Sequence, residues 1–149
     1  MIELLIVIAI IALGVALVSV ALPDADAARL DEEGERLSAL LEMARAESRV
    51  SGAPVVWVPQ SGNDAVKDNH GAPVHFRFVG LADKSAPTRW LDARISATIV
   101  GARSVVLGPS AILPAQRIVL ALEGRRLELV SDGLGPFAVA TAPVAAAVP

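Results

Sequence analysis

The sequence predicts an α+β protein in which a long N-terminal helix, with a membrane half and an amphipathic half, packs on antiparallel β-sheets. Two observations lead to this fold class. Apolar residues are continuous or helically spaced through the first third of the 149-residue chain, and beyond Gly52 they alternate with polar residues. No helical period follows the alternating segments, so we expect the strands to pair antiparallel.

Four segments follow from this pattern, since the length suits one domain. Residues 1–22 are predicted to form a transmembrane helix, and residues 23–52 its amphipathic continuation. Residues 53–141 are predicted to form a β-rich domain. Residues 142–149 contain only Ala, Val and Pro, and we expect this tail to be disordered.

The apolar start of the chain has the length of a membrane span. Residues 4–22 carry no charge, and at ~1.5 Å per residue they extend roughly 28 Å, about the thickness of the bilayer hydrocarbon. A cleavable signal peptide would have a basic front and a shorter apolar run, and a core helix this apolar would need a larger protein. The acidic residues after Pro23 favour a cytoplasmic N-terminus. We therefore expect a single-pass membrane protein whose N-terminus is cytoplasmic and whose C-terminal domain lies on the opposite side of the membrane.

Glu3 is the only charged residue in the first 22. Either it lies in the headgroup region at little cost, or it pairs inside the membrane with a cation such as the amino terminus of a neighbouring copy. The second interpretation makes Glu3 the residue that sets register when such helices assemble. Ala9, Ala12, Gly14 and Ala16 are candidate packing residues, because small side chains let apolar helices approach closely in lipid.

An amphipathic helix is predicted after Pro23, which can kink a helix or begin a new one. Its apolar stripe is expected to pack on the sheet, with a face for a partner helix as the alternative. On the opposite face, Arg29 with Glu33 and Glu32 with Arg36 stand four apart and are expected to pair. The helix should end at residues 51–54, where Gly and Pro terminate helices. The stripe consists of Leu30, Leu37, Leu40, Leu41 and Ala44.

Strands are predicted where apolar and polar residues alternate or β-branched residues cluster. The clearest hairpin turns at Glu123-Gly124 and is flanked by residues 118–122 and 127–129. The pattern leaves open whether the strands form one curved sheet or a sandwich. The other predicted strands are residues 55–58, 74–78, 95–99 and 137–140.

Few residues are of the types that carry catalysis or bind metals. The chain has no cysteine and only two histidines, and no Gly-x-Ser-x-Gly elbow presents a nucleophile. Asp64, Asp68 and His70 could surround a cation, but their spacing fits no calcium loop, and a solvated loop over residues 61–71 is favoured. Arg125-Arg126 is predicted to be a solvated hairpin tip, with a protein contact as the alternative. Basic residues are not clustered as nucleic-acid binding requires. We expect no enzyme, no metal and no cofactor.

The start of the chain resembles the conserved front of type IV pilins and type II secretion pseudopilins. That family reads Gly-Phe-Thr-Leu-Ile-Glu before an apolar helix, and Ile2 and Glu3 fall on its Ile-Glu. The late stretch Asp132-Gly133-Leu134-Gly135-Pro136-Phe137 is similar to the minor pseudopilin GspH and to FimT-type minor pilins. The resemblance covers nearly the whole chain. It implies a pilin-like fold in which Glu3 directs filament assembly, with Asp132, Gly133, Gly135 and Pro136 as a family-like late motif.

The resemblance also implies a location, processing and partners. The expected location is a single pass through the inner membrane with the C-terminal domain in the periplasm. Family members lose a short leader to a prepilin peptidase, which methylates the new amino terminus, so we expect the polypeptide to begin upstream of Met1. The implied function is a minor pseudopilin near the tip of the type II secretion pseudopilus, which supports protein export across the outer membrane. Its expected partners are other minor and major pseudopilins, inner-membrane lipid and exported cargo, without nucleic acid. The alternatives are a FimT-like minor pilin of a type IV pilus and a signal-anchored periplasmic binding domain that does not assemble.

Overall fold

The computed structural model describes residues 3, 4, 6–8, 24–60, 66–68, 71–83 and 85–140. Its main elements are one helix packed on two antiparallel β-sheets. In chain order they are α1 (Ala25–Ser51), β1 (Val55–Pro59), β2 (Phe76–Val79), β3 (Ser96–Ile99), β4 (Val105–Leu107), β5 (Gln116–Leu122), β6 (Arg125–Ser131) and β7 (Ala138–Val139).

Both ends of α1 are capped. Asp24 is extended (φ −69°, ψ 103°), and its carboxylate accepts hydrogen bonds from the backbone N–H groups of Asp26 and Ala27, which supplies the acceptor that the first helical turn lacks. Gly52 has a left-handed conformation (φ 71°) and donates its N–H to the carbonyl of Ser48, the usual way for a glycine to end a helix. The strong caps make α1 a helix with its own start and end.

The strands form a three-stranded sheet of order β2-β1-β4 and a four-stranded sheet of order β3-β5-β6-β7. The longest pairing joins β5 and β6 through the Glu123-Gly124 turn. Both turn residues have positive φ, 47° and 82°, as the two-residue turns that fit the twist of a hairpin require. The Gln116 side chain connects the two sheets, because its amide accepts from the N–H of Val106 at 3.1 Å and donates to the carbonyl of Val106 at 3.3 Å.

The core lies between α1 and the inner faces of the sheets. Leu37 and Leu41 of α1 are fully buried, as are Trp57 of β1 and Leu120 of β5. The helix carries its buried residues three and four apart and the strands carry theirs two apart, so each element presents one face to the core.

The predicted fold class, with a long N-terminal helix made of a membrane half and an amphipathic half, is wrong. Within the described residues, the helix that packs on the sheets is the 27-residue α1, and the elements that follow it are the strands of the two sheets. The physical reason lies at Asp24, whose extended backbone and capping carboxylate start α1 as a new helix.

The predicted localisation, a single pass through the inner membrane, is contradicted. Among the residues that the structure describes, no helix combines the length and the apolar character that a membrane crossing needs. At 27 residues α1 is long enough, but it carries charged side chains along its length. Most of the predicted span, and the tail at residues 142–149, lie outside the described residues.

The alternating patterns predicted the positions of most strands. Each predicted strand overlaps an observed one: β1, β2, β3, the β5–β6 hairpin and β7. The alternation left open whether the strands form one sheet or two, and in the structure they form two separate sheets. Strand β4 was not predicted, because three residues that alternate buried and exposed give too little alternation to recognise.

Candidate functional site

Glu3 lies in a helical part of the chain and is exposed to solvent. Its described neighbours are also exposed, with Leu4 at 65% and Ile6 and Ile8 each at 54%. A helical segment that shows one carboxylate and several uncovered aliphatic side chains is a candidate contact surface. The predicted packing residues Ala9, Ala12, Gly14 and Ala16 lie outside the described residues.

The late motif surrounds a buried arginine of α1. Arg45 is 2% exposed, and its guanidinium donates to the carbonyls of Gly135 at 2.8 Å, Gly133 at 2.9 Å and Ala111 at 3.3 Å. A buried cation needs acceptors to replace water, and here they come from two loops, residues 108–115 and 132–137. Arg45 therefore holds both loops against the helix.

Asp132 and Gly133 shape the motif itself. The Asp132 carboxylate accepts from the backbone N–H groups of Leu134 and Gly135, both at 2.9 Å, and these bonds lower its pKa. Gly133 has φ +88°, and a Cβ there would lie 1.8 Å from the carbonyl oxygen of Leu113, so no larger residue fits. Ser38 of α1 donates to the carbonyl of Phe137, which attaches the end of the motif to the helix. Pro136 is exposed.

The two loops present apolar side chains to solvent. Ile112 is 70% exposed and Leu134 is 64% exposed. Their two loops are joined by a hydrogen bond from the N–H of Leu113 to the carbonyl of Gly133 at 3.1 Å. Aliphatic side chains on a loop that is held in place lose little conformational freedom when a partner covers them. The late motif is thus a rigid surface loop with an apolar edge.

A second buried charge lies nearer the start of α1. Glu33 is fully buried, forms an ion pair with Arg36 and accepts from the backbone N–H of Leu91 at 2.7 Å. Arg36 in turn donates to the carbonyl of Arg89. The pairs predicted four residues apart, Arg29 with Glu33 and Glu32 with Arg36, do not form among the described residues. Glu33 points into the protein and pairs with Arg36, and Arg29 contacts Asp26 and Asp92 instead.

His75 supports the same segment from the sheet side. Its Nδ1 accepts a hydrogen bond from the backbone N–H of Trp90 at 3.0 Å, and Trp90 packs against Phe76 with ring centroids 4.5 Å apart. Burial lowers the pKa of His75, and the nearby Arg89 cation lowers it further, whereas Glu33 acts in the opposite direction. A neutral imidazole is what this contact needs, since a protonated ring has no free acceptor.

Ion pairs attach the start of α1 to two surface turns. Arg94 contacts Asp92 at 2.7 Å, Asp26 at 3.4 Å and Glu123 at 3.5 Å. Hydrogen bonds from the side chain and backbone of Arg94 lower the pKa of Asp92 to about 2. Arg125 of the hairpin pairs with the capping residue Asp24. This network determines where the first turn of α1 lies relative to the sheets.

The residues considered for a cation site are only partly described. Asp64 and His70 lie outside the described residues. Asp68 contacts Arg89 at 3.7 Å and accepts from the N–H of Ala72 at 2.8 Å. Within the described ranges no group of three His, Cys, Asp or Glu side chains is arranged to hold a metal.

Sequence reasoning missed the two buried charges of α1, although a signal for them existed. Glu33 and Arg45 lie at helical spacing within the apolar stripe, three residues after Leu30 and four after Leu41. A charged residue on the buried face of an amphipathic helix indicates a partner supplied by another element. The partners here are backbone groups of distant loops, which no spacing rule predicts.

Comparison of the chain with protein-family models, with curated proteins and with solved structures gives no match.

Proposed function

We propose that this chain is a minor pseudopilin of the H type, a structural subunit of the type II secretion pseudopilus that supports protein export across the outer membrane. The observation that carries the proposal is Glu3, a carboxylate on an exposed helical segment among uncovered aliphatic side chains. Buried between subunits, such a carboxylate needs a cation, and the amino terminus of a neighbouring subunit supplies one. The pairing selects one register between subunits.

The late motif supports the same proposal. Asp132, Gly133 and Gly135, which resemble the family pattern, belong to the loop that Arg45 holds on α1. The loop held in this way presents Leu134 to solvent, where it is available for a contact between subunits. In this proposal the partners are other pseudopilins of the filament and the exported cargo. The protein's role is structural rather than catalytic.

The test compares Glu3→Ala with Glu35→Ala in a strain whose own copy is deleted. Glu35 is an exposed carboxylate of α1, so it controls for the loss of one charge. We expect Glu3→Ala to reduce secretion of the exported proteins and recovery of the subunit with sheared filaments by at least about tenfold, since one mispaired buried charge costs about 3 kcal/mol or more. Normal secretion by Glu3→Ala at normal protein abundance would contradict the proposal.

A further inference from the structure

The four-stranded sheet has an edge that is only partly covered. Strand β6 has seven residues, but β7 pairs only with Leu129 and Val130. Ala140 adds one hydrogen bond, from its N–H to the carbonyl of Glu128 at 2.8 Å. The first residues of β6 therefore have β5 on one side and, among the residues that the structure describes, no strand on the other.

The backbone of Arg126 faces the open side of β6. Residues of an antiparallel strand direct their N–H and carbonyl alternately to one neighbour and to the other. Glu128 faces β7, because its carbonyl accepts from Ala140, so Arg126, two positions earlier, faces the same side. Within the described part of the chain, neither backbone group of Arg126 has a hydrogen-bond partner on that side. An edge of this kind accepts a further strand.

A cavity of about 280 Å³ lies beside the open part of β6. Helix α1 contributes Ala27, Leu30 and Asp31 to its lining, and the hairpin contributes residues 124–127. Leu30 and Leu127 are nearly buried, at 2% and 7% exposed. The cavity is thus a gap between the start of α1 and the part of β6 that β7 does not reach.

The direction and register of β7 select the residues that follow it as the occupant of this gap. Because β7 runs antiparallel to β6, the chain leaves β7 heading for the open part of β6. Residues 141–149 lie outside the described residues. In the register that joins the two strands, Thr141 falls opposite Leu127 and Ala142 falls opposite Arg126. A segment already aligned with its partner pays no further loop closure, and a separate molecule would also lose translational freedom.

The position of the next proline agrees with this register. Ala142 falls opposite Arg126 and has the N–H that the free carbonyl of Arg126 requires. Pro143 has no N–H, and it falls opposite Arg125, whose backbone faces β5. At such a position the N–H of an edge strand points to solvent, which is where a strand tolerates proline. A proline there also prevents another strand from pairing on the outside.

The face of the sheet that packs on α1 is incompletely covered at the end of β7. Directly opposite residues share a face, and Val139 is 39% exposed although Leu129 opposite it is fully buried. Thr141 belongs to the same face and falls opposite Leu127, at the cavity. Threonine favours extended strands, so the residue type suits the position.

We propose that residues 141–143 continue β7 along the edge of β6, pair through Ala142 and Arg126, and fill the cavity between β6 and the start of α1. The segment that follows β7 then closes this edge to strands of other chains. The disorder expected of the tail begins at residue 144 rather than at residue 142. The contact does not involve Glu3, so the inference goes beyond the proposed function.

Disulfide formation at equilibrium measures this pairing, because the chain has no cysteine of its own. The full chain carries Arg126→Cys with Ala142→Cys or, as the matched control, Arg126→Cys with Ala146→Cys. Opposite residues of a hydrogen-bonded pair have Cα atoms about 5.5 Å apart, within the range of a disulfide. Position 146 is about 13 Å further along an extended chain. Each variant is equilibrated in a glutathione redox buffer, and mass spectrometry gives the effective concentration of the two thiols.

We expect the effective concentration for the 126–142 pair to exceed that for the 126–146 pair by at least about tenfold. A tail with no fixed position would give similar values, since loop closure depends only weakly on loop length. Equal effective concentrations would therefore overturn the proposal. Disulfides that mainly join two molecules would also overturn it, because they would assign the edge to a strand of another chain.

Hydrogen exchange tests the pairing without a crosslink. Ala142→Pro removes the N–H that pairs with the carbonyl of Arg126, and Ala146→Pro is the control for an added proline. We expect the amide of Arg126 to exchange at least about fivefold faster in Ala142→Pro than in the wild-type protein or in Ala146→Pro. Exchange at Arg126 that is the same in all three proteins would contradict the proposal. Both measurements use the isolated chain, so their outcome does not depend on filament assembly.

Discussion

A cation removed from water must find acceptors inside the protein, and Arg45 finds them in backbone carbonyls. Its contacts with Gly133 and Gly135 are 2.9 and 2.8 Å long, within the range of charge-assisted hydrogen bonds. Glu33 is the opposite case, a buried carboxylate satisfied by Arg36 and a backbone N–H. Each of these residues connects α1 to a segment more than fifty positions away in the chain.

Replacing Arg45 tests the importance of the first of these contacts. We expect Arg45→Ala to lower the free energy of unfolding by about 3 kcal/mol, because several buried carbonyls lose their donor and a packed side chain is removed. Urea titration followed by tryptophan fluorescence measures the free energy of unfolding. Arg49→Ala, at an exposed position of the same helix, should change the free energy by less than about 0.5 kcal/mol. Equal effects of both substitutions would exclude the proposed role of Arg45.

His75 should make stability depend on pH. Its pKa is lowered in the folded protein, mainly by burial and then by Arg89, with Glu33 opposing. The unfolded chain therefore binds the proton more readily, so the contribution of His75 is complete above its ordinary pKa of 6.5 and is lost as the pH falls below it. His75→Asn keeps an acceptor but cannot titrate.

The measurement is the free energy of unfolding of both proteins at pH 7.5 and pH 5.5. The wild-type protein should lose more stability between these values than His75→Asn, whose remaining pH dependence reports the other titrating groups. Identical pH profiles would show that the hydrogen bond from Trp90 does not depend on a neutral imidazole.

The element with the strictest backbone requirement is the loop after β6. Gly133 needs a left-handed conformation, and the carbonyl of Leu113 also occupies the space of a side chain. Gly101, in the turn after β3, has a similar φ of +76° but open space around it. The two glycines thus separate the cost of conformation from the cost of a steric clash.

We expect Gly101→Ala to cost about 1 kcal/mol, the strain of a left-handed alanine. Gly133→Ala should cost at least about 3 kcal/mol, since the backbone of one loop must also move. Thermal unfolding of the two variants and the wild-type protein measures the difference. Similar unfolding temperatures for both variants would mean that the 108–115 and 132–137 loops are not packed as described.

The Gln116 side chain connects the two sheets at the edge of β4. The outer edge of β4 would expose the N–H and carbonyl of Val106, and such an edge invites pairing with another chain. The Gln116 amide satisfies both groups, so one side chain of the four-stranded sheet covers the edge of the three-stranded sheet.

At the scale of the whole molecule, surface charges hold the first turn of α1 against the sheets. Arg94 and Asp92 connect the turn before β3 to Asp26 and Arg29 of the helix. These groups are exposed, so salt should weaken their interactions. We therefore expect the attachment of the first turn of α1 to weaken as the ionic strength rises.

Hydrogen exchange tests this dependence. We expect Arg94→Ala to speed exchange of the amides of residues 27–30 while leaving those of residues 41–48 unchanged, and high salt to have the same effect on the wild-type protein. Arg103→Ala is the control for loss of one exposed arginine. Faster exchange along all of α1 would indicate global destabilisation rather than release of its first turn.

Alternation and spacing along the chain determined the local elements by themselves. The apolar stripe of α1, its end at Gly52 and the β5–β6 hairpin depend on neighbours within a few residues, and short-range physics is readable in sequence. The start of α1 at Asp24 was less accessible, because a proline followed by acids allows either a kink or a new helix.

The tertiary structure alone decided the long-range arrangement. It determined the division into two sheets, the burial of Glu33 and Arg45, and the hydrogen bond from the Trp90 N–H to His75. Each of these features depends on hydrogen bonds about 3 Å long to backbone groups of residues that are distant in the chain. Every residue type has the same backbone groups, so the sequence does not identify these partners. A sequence records which side chains are available, whereas the fold decides which carbonyl or N–H stands opposite them.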